Sequence, residues 1–466
     1  MLQKLVLLAF SLIFLISLIS CENMGQKGMQ FSGVKGEVKL ITVDPGHFHA
    51  ALVQKVMYAQ IAPVVHVYAP QGADVTDHIK RIEGFNTRTE NPTSWEEKVY
   101  TGPDFLTRMV REKPGNVVIF SGKNHKKTEY IKAAVDAGLN VLADKPMCMN
   151  KVGFELLKQA FASAREQNVL LYDIMTERYE ITTILQKELA AVPTVFGELK
   201  PGSPEEPTIT KESVHHFFKF VAGNPIKRPG WYFDVAQQGE GLIDVTTHLV
   251  DLVQWECFPE QLLDYRKDIE MLSARHWPTL ITREQYEKVT RLPDFPEYLQ
   301  KYINPDGVLE VFSNGSMLYK IKGIHAKISV VWKYQAPEGT GDTHFSIMRG
   351  TKADLIIKQG QEQNYKPELY VKITDEAHKD AIESALKNTI SQLQSQYPGV
   401  ALQPMADVIR IRIPNQFRIG HEAHFGQVTL KYLKFLTDGK LPEWEVPNMI
   451  AKYYTTTAAL EMASGK

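Results

Sequence analysis

Four short segments of this chain hold residue types that can handle hydride and proton chemistry. The first, Asp44-Pro45-Gly46-His47-Phe48-His49-Ala50, follows the apolar run at residues 38–43. A strand, a glycine turn and a helix start can seat a pyrophosphate, because glycine lets backbone N–H groups approach the anion. Gly46, His47 and Phe48 are the candidates here, while Asp44 and His49 stand where further glycines would. The second segment, Ser121-Gly122-Lys123-Asn124-His125, ends the apolar run at 117–120, and the third, Asp144-Lys145-Pro146-Met147, ends the run at 139–143. One helical stretch separates them, which places Ser121, Asn124, His125, Asp144 and Lys145 on one sheet edge. The fourth runs from Gln238 through Gly239 and Gly241 to Asp244 and His248. Asp244 and His248 are four apart, on one face of a helix, behind glycines that let the chain turn closely. Lysine and histidine in such places can take a hydroxyl proton. The plain alternative is a surface charge pair at 144–145, a capping aspartate and a core histidine.

The elements that must position these residues change character along the chain. From residue 38 to the 170s, near-continuous apolar runs at 38–43, 63–68, 116–120, 139–143 and 169–173 alternate with helical spacing at 50–59, 128–137 and 151–167. That pattern indicates a buried parallel sheet, whose ligands bind at the carboxyl ends of its strands. Beyond it, period-two runs at 309–312, 316–321, 326–332, 344–348 and 353–357, separated by Gly or Asn turns such as Asn314-Gly315, predict a mostly antiparallel sheet. Helices are expected at 374–396, 421–437 and 446–463. The fold class is therefore α/β. A Rossmann-type domain is expected over 37–167, and an α+β domain with a large, open-faced, mostly antiparallel sheet over 168–466.

The ordered motifs resemble the Gfo/Idh/MocA (glucose-fructose oxidoreductase / inositol dehydrogenase) family. Asp144-Lys145-Pro146 matches the family's Glu-Lys-Pro with a conservative acid, and His125 and Ala137-Gly138-Leu139-Asn140-Val141 fit its neighbouring motifs. Glu177-Arg178-Tyr179, Trp231-Tyr232-Phe233-Asp234 and the Gly-rich turn before Asp244, His248 and Asp251 continue the likeness over roughly residues 38–255. The resemblance implies an oxidoreductase that takes hydride from a secondary hydroxyl of a sugar or glycoside, such as C3 of a glucoside, onto NAD, with NADP still open. It places Lys145 and His248 at the substrate hydroxyl, Asp244 nearby, and Arg178, Tyr179, Trp231 and Tyr232 along the substrate. Either Lys145 or His248 could be the terminal base. Histidine titrates near neutrality; lysine would have to fall from about 10.4 toward about 7–8. Two other readings stay open: glycoside cleavage through transient oxidation and elimination, and a non-catalytic sugar- or nucleotide-binding lipoprotein.

Bulk properties set the surroundings. The 466 residues carry 53 Lys+Arg against 54 Asp+Glu, a net charge of −1. No nucleic-acid partner is expected from that balance. A basic start, an apolar run at 5–19 and Leu18-Ile19-Ser20-Cys21 read as a lipoprotein signal over 1–20, with Cys21 lipidated and 21–36 a tether. Several acyl chains would hold the protein to a membrane on the exported side. Away from the cytoplasmic NAD pool, the cofactor is expected to be tightly bound and re-oxidised by an external acceptor or a second sugar. Self-association through the open sheet is a further expectation. Cys148 and Cys257 could form one disulfide, and no Cys/His spacing marks a zinc site, so no metal is expected.

Overall fold

A computed structural model describes residues 30–221 and 224–465. Cys21 and the expected signal lie outside the described residues. Six strands form the first sheet: β1 (Leu40–Val43), β2 (Val64–Ala69), β3 (Glu96–Thr101), β4 (Val117–Phe120), β5 (Asn140–Asp144) and β6 (Leu171–Ile174). All pair in parallel, in the order β3-β2-β1-β4-β5-β6. This is the doubly wound order, and its direction of winding reverses between β1 and β4, where such sheets take ligands. The apolar runs are continuous because helices cover both faces; β1, β4, β5 and β6 are buried at every residue.

The parallel sheet runs past the boundary expected at residue 167, since β6 pairs with β5. Its core is also completed from the far end of the chain. Phe425, Tyr432, Leu433 and Tyr453 of the last two helices pack among its residues. Phe31 is buried in the same core, so the expected tether docks at that residue.

The remaining strands are β7 (Ile209–Phe218), the small hairpin β8 (Phe220–Val221) and β9 (Asn224–Pro225), β10 (Ile269–Ile281), β11 (Leu309–Ile321), β12 (Ile324–Gln335), β13 (Thr343–Arg349), β14 (Ala353–Gln359), β15 (Glu368–Ile373), β16 (Ala401–Pro404) and β17 (Ile409–Arg412). Nine of them form one sheet, β10-β11-β12-β7-β13-β14-β15-β17-β16, antiparallel except where β7 meets β12. Asn314-Gly315, read from sequence as a turn, lies inside β11. Leu242 packs where a Cβ on Gly315 would be, 2.5 Å from the leucine Cγ.

The expected helix at 50–59 shrinks to His49–Leu52. Side chains take the carbonyls a longer helix would use: Trp95 Nε1 donates to Gln54 O and Arg88 to Lys55 O. Cys148 and Cys257 are free thiols.

A buried charge network locks the two sheets' helices together. Arg178 binds Asp251 (2.6 and 2.7 Å) and Glu445 (3.0 Å). Lys452 binds Asp251 (2.8 Å) and Asp173 on β6 (2.7 Å). Removing one partner of such a network strands unpaired buried charge. Lys452→Met should therefore lower unfolding free energy by about 3–5 kcal/mol in a denaturant titration; a loss below about 1 kcal/mol would show that the network carries no weight.

Candidate active site

Lys145 ends β5 and reaches across to the second half of the chain, where its Nζ lies 2.5 Å from Asp244 Oδ1. Both side chains are almost fully buried. Asp244 sits just ahead of the helix Thr246–Cys257 rather than within it, one turn before His248, with Thr247 N bonded to Asp244 O. Gly241 makes that placement possible: its N–H bonds Phe312 O on β11, and a Cβ there would lie 2.2 Å from Ser313 O.

The protonation states follow from this packing. Burial works against charge on Lys145, but the Asp244 and Asp144 carboxylates outweigh it and raise its pKa. Lys145 is an ammonium in this arrangement, without the fall that a terminal base would require. Burial, and then the Lys145 charge, pushes His248 down to about 3. His248 is a neutral imidazole, and its Nδ1 is buried without a hydrogen-bond partner. An orphaned ring nitrogen costs free energy unless another group meets it. Asp244 also lines a cavity of about 20 Å³ with Phe217, Tyr232, Gln238 and Trp332. That is room for a water, not a sugar.

The other expected residues separate into two groups. Ser121 Oγ donates to Asp144 Oδ2 (2.9 Å), and Asn124 Nδ2 donates to Gln238 O (2.6 Å), so the β4 turn touches both halves of the site. Asp144 also faces His49 Nδ1 (2.9 Å) and His47 Nδ1 (3.7 Å). Phe48 packs against both histidine rings, and Tyr232 lines the cavity. His125 is exposed. Arg178 is corrected from a substrate ligand to a structural residue, because Asp251 and Glu445 saturate its guanidinium. Tyr179 packs against the first core. Trp231 is also corrected. Its indole lies against Gly46 and donates to Asp74 Oδ1 (3.1 Å), so it is not free to stack a sugar.

Sequence reasoning missed three residues. Lys127 is buried beneath Asp144, donating to its main-chain oxygen (3.0 Å) and to Asn124 Oδ1 (2.5 Å), and burial lowers it to about 8. His49 was read only as a lost glycine. His421 opens the helix His421–Asp438 and meets His49, Nε2 to Nε2, at 3.0 Å. A separation of 372 residues leaves no spacing signal.

Residues 185–464 match the family described as "Putative oxidoreductase C terminal domain". A "putative oxidoreductase" from Parabacteroides merdae, solved by crystallography, is 58% identical, with TM-score 0.92 over 94% of this chain and 100% of that one. The chain belongs to the Gfo/Idh/MocA oxidoreductase family. More distant family folds superpose over most of their length. A levoglucosan dehydrogenase solved with NADH and levoglucosan is 14% identical, TM-score 0.56, over 92% of this chain and 97% of that one. A "putative oxidoreductase" from Thermotoga maritima is 12% identical, TM-score 0.57, over 92% and 99%. No curated protein matches the chain.

Neutral buried histidines set an acid limit on stability. His78, buried with neither ring nitrogen bonded, falls to about 4, and His248 to about 3. Between about pH 6.5 and these values the unfolded chain binds protons that the folded chain does not, so stability drops as pH falls through that window. Thermal denaturation should show Tm falling from pH 7 to pH 4.5, less steeply in His78→Leu. A flat profile in the unsubstituted chain would contradict these assignments.

Proposed function

We propose that this chain oxidises a secondary hydroxyl of a sugar or glycoside, with Lys145, Asp244 and His248 handling the hydroxyl proton. One observation carries the reading: in an oxidoreductase fold, an ammonium–carboxylate pair at the carboxyl edge of the parallel sheet stands beside a neutral histidine with an unpartnered nitrogen. A hydroxyl placed between Lys145 and Asp244 meets a donor that stabilises the developing oxyanion. Negative charge growing on that oxygen raises the His248 pKa and makes it the proton acceptor. Lys145 is then the electrostatic partner and His248 the terminal base. The carbohydrate class rests on the family, and on the levoglucosan held by one distant neighbour.

A nicotinamide cofactor, held as NADH by that neighbour, would supply the hydride acceptor. The fit is uneven. Ser121, Asn124 and Lys145 stand at the strand ends where a nicotinamide would lie. The pyrophosphate does not fit this closed arrangement. Only a four-residue helix follows β1, and Asp44, buried, stands in the turn between them. A Cβ on Gly46 would meet the Trp231 ring at 3.2 Å and Asp74 at 3.3 Å, so side chains already cover the glycine's open face. Lys123 and Trp231 both hold Asp74 there. A dinucleotide requires Trp231 to leave Gly46. The same observation favours, as a second reading, a non-catalytic sugar-binding protein.

We also propose that the chain is exported and lipid-anchored through Cys21. No helix among the described residues is long and apolar enough to cross a membrane.

A screen of glycosides with added NAD or an artificial electron acceptor separates enzyme from binder. Turnover is expected; Lys145→Met should abolish it and His248→Gln should reduce it about 10²–10⁴-fold. Full activity in Lys145→Met would overturn the assignment. Trp231→Ala should bind NADH at least about tenfold more tightly than the unsubstituted chain, about 1.4 kcal/mol. Equal affinity in a fluorescence titration would show that the indole does not guard the loop.

A further inference from the structure

The turn after β1 and the end of β5 bring together three metal-ligand side chains that take no part in the proton transfer proposed above. One ring nitrogen each of His47 and His49 and a carboxylate oxygen of Asp144 all lie within 4.8 Å of one another. Asp144 Oδ2 is 2.9 Å from His49 Nδ1 and 3.7 Å from His47 Nδ1. A first-row divalent cation binds nitrogen and carboxylate oxygen at about 2.0–2.2 Å, which sets tetrahedral ligands roughly 3.4 Å apart. The three atoms bracket that spacing.

The tautomers open to the histidines allow a cation here. Asp144, His49, His421 and Glu177 stand in a row, joined by gaps of 2.9, 3.0 and 3.7 Å. Each neutral imidazole carries one N–H. Two of these gaps are hydrogen bonds, and two tautomer arrangements satisfy them: either His49 Nδ1–H donates to Asp144 and His49 Nε2 accepts from His421, or His49 Nε2–H donates to His421 and the Nδ1 lone pair is left facing Asp144. If His421 gives its N–H to Glu177, it accepts from His49 Nε2–H, and the His49 Nδ1 lone pair then points at Asp144. His47 adds a second lone pair on the same side. Its Nδ1 accepts a long hydrogen bond from the His49 backbone N (3.4 Å), which a cation would replace, and lies 3.7 Å from Asp144 Oδ2. Two imidazole lone pairs and a carboxylate converging on one point form the donor set of a cation.

The surroundings supply the outer contacts such a site needs. Ser121 Oγ fixes the Asp144 carboxylate, and the Glu177–His421 pair orients His49, as carboxylates do for metal-bound histidines. The two ammonium groups nearby are already engaged, Lys145 by Asp244 and Lys127 by Asn124 Oδ1. His47 is the more open of the two histidines and offers a way in.

We propose that His47, His49 and Asp144 bind one first-row divalent cation, with His421 as a positioning residue that fixes the His49 tautomer. Two nitrogens and one carboxylate leave at least one coordination position open, as in sites that bind water or a ligand oxygen. The proposal goes beyond the oxidoreductase reading and does not depend on turnover.

Detergent-solubilised full chain, stripped with a chelator, is titrated with Co²⁺ and, separately, with Zn²⁺. The expected result is one equivalent per chain, with visible d–d bands for Co²⁺ and a higher Tm with Zn²⁺. His49→Gln and Asp144→Asn should lose binding at least a hundredfold, and His421→Gln about 10–100-fold. His47→Gln, at the more open position, guards against misfolding as the explanation and should also lose binding while its circular dichroism matches the unsubstituted chain. Less than a tenth of an equivalent in the unsubstituted chain would overturn the proposal. So would unchanged stoichiometry and affinity in His47→Gln and His49→Gln. Metal binding without glycoside oxidation would refute the proposed function alone, and oxidation without metal binding would refute this proposal alone.

Discussion

The Lys145–Asp244 ion pair is the interaction on which the rest of this structure turns. It joins the end of a parallel-sheet strand to the start of a helix in the other half of the chain, 99 residues away. A buried pair of this kind gains stability only if its geometry is good and its other hydrogen bonds are met. Both halves are built to supply that geometry. β5 is buried on both faces, Gly241 clamps the turn before Asp244 onto β11, and the Arg178–Asp251–Lys452–Asp173 network fixes the helix that carries His248. The pair also sets the local charge states. It keeps Lys145 protonated, and the Lys145 charge helps keep His248 neutral. Substrate chemistry at this edge means inserting an oxygen into that pair.

Much of the fold was legible in the sequence. Apolar runs without polar alternation announced a sheet covered on both faces, and the strand ends fell where the motifs did. The spacing of Asp244 and His248 survived although Asp244 precedes its helix, because the turn before it already follows helical hydrogen bonding. The errors have physical causes. Gly315 carried a turn signal, but tertiary packing of Leu242 required glycine within a strand. The helix after β1 was cut short by side chains from elsewhere in the chain that claimed its carbonyls. β3 was missed because, at the sheet edge, its residues are half exposed and its sequence is charged.

The site was legible in part. Lys145, Asp144, Ser121 and Asp244 could be placed because each sits at a strand or helix end with its own motif. Arg178 and Trp231 could not be assigned correctly, since their roles depend on distant partners: Asp251 and Glu445 for one, Asp74 and Gly46 for the other. His421 lies at the far end of the chain, and nothing local marks it. Position 46 shows how one residue type can mislead. A glycine after a strand suggests a phosphate cradle, yet here the same lack of a side chain admits an indole.

The central claim is that His248 is a neutral acceptor beside a Lys145 ammonium. Nitrogen-15 NMR of histidine-labelled protein tests it most directly, by following the His248 ring nitrogens from pH 5 to pH 8 with a His248→Gln sample for assignment. The account predicts a neutral imidazole throughout this range, with no titration step. A His248 resonance that titrates near pH 6.5 would contradict it.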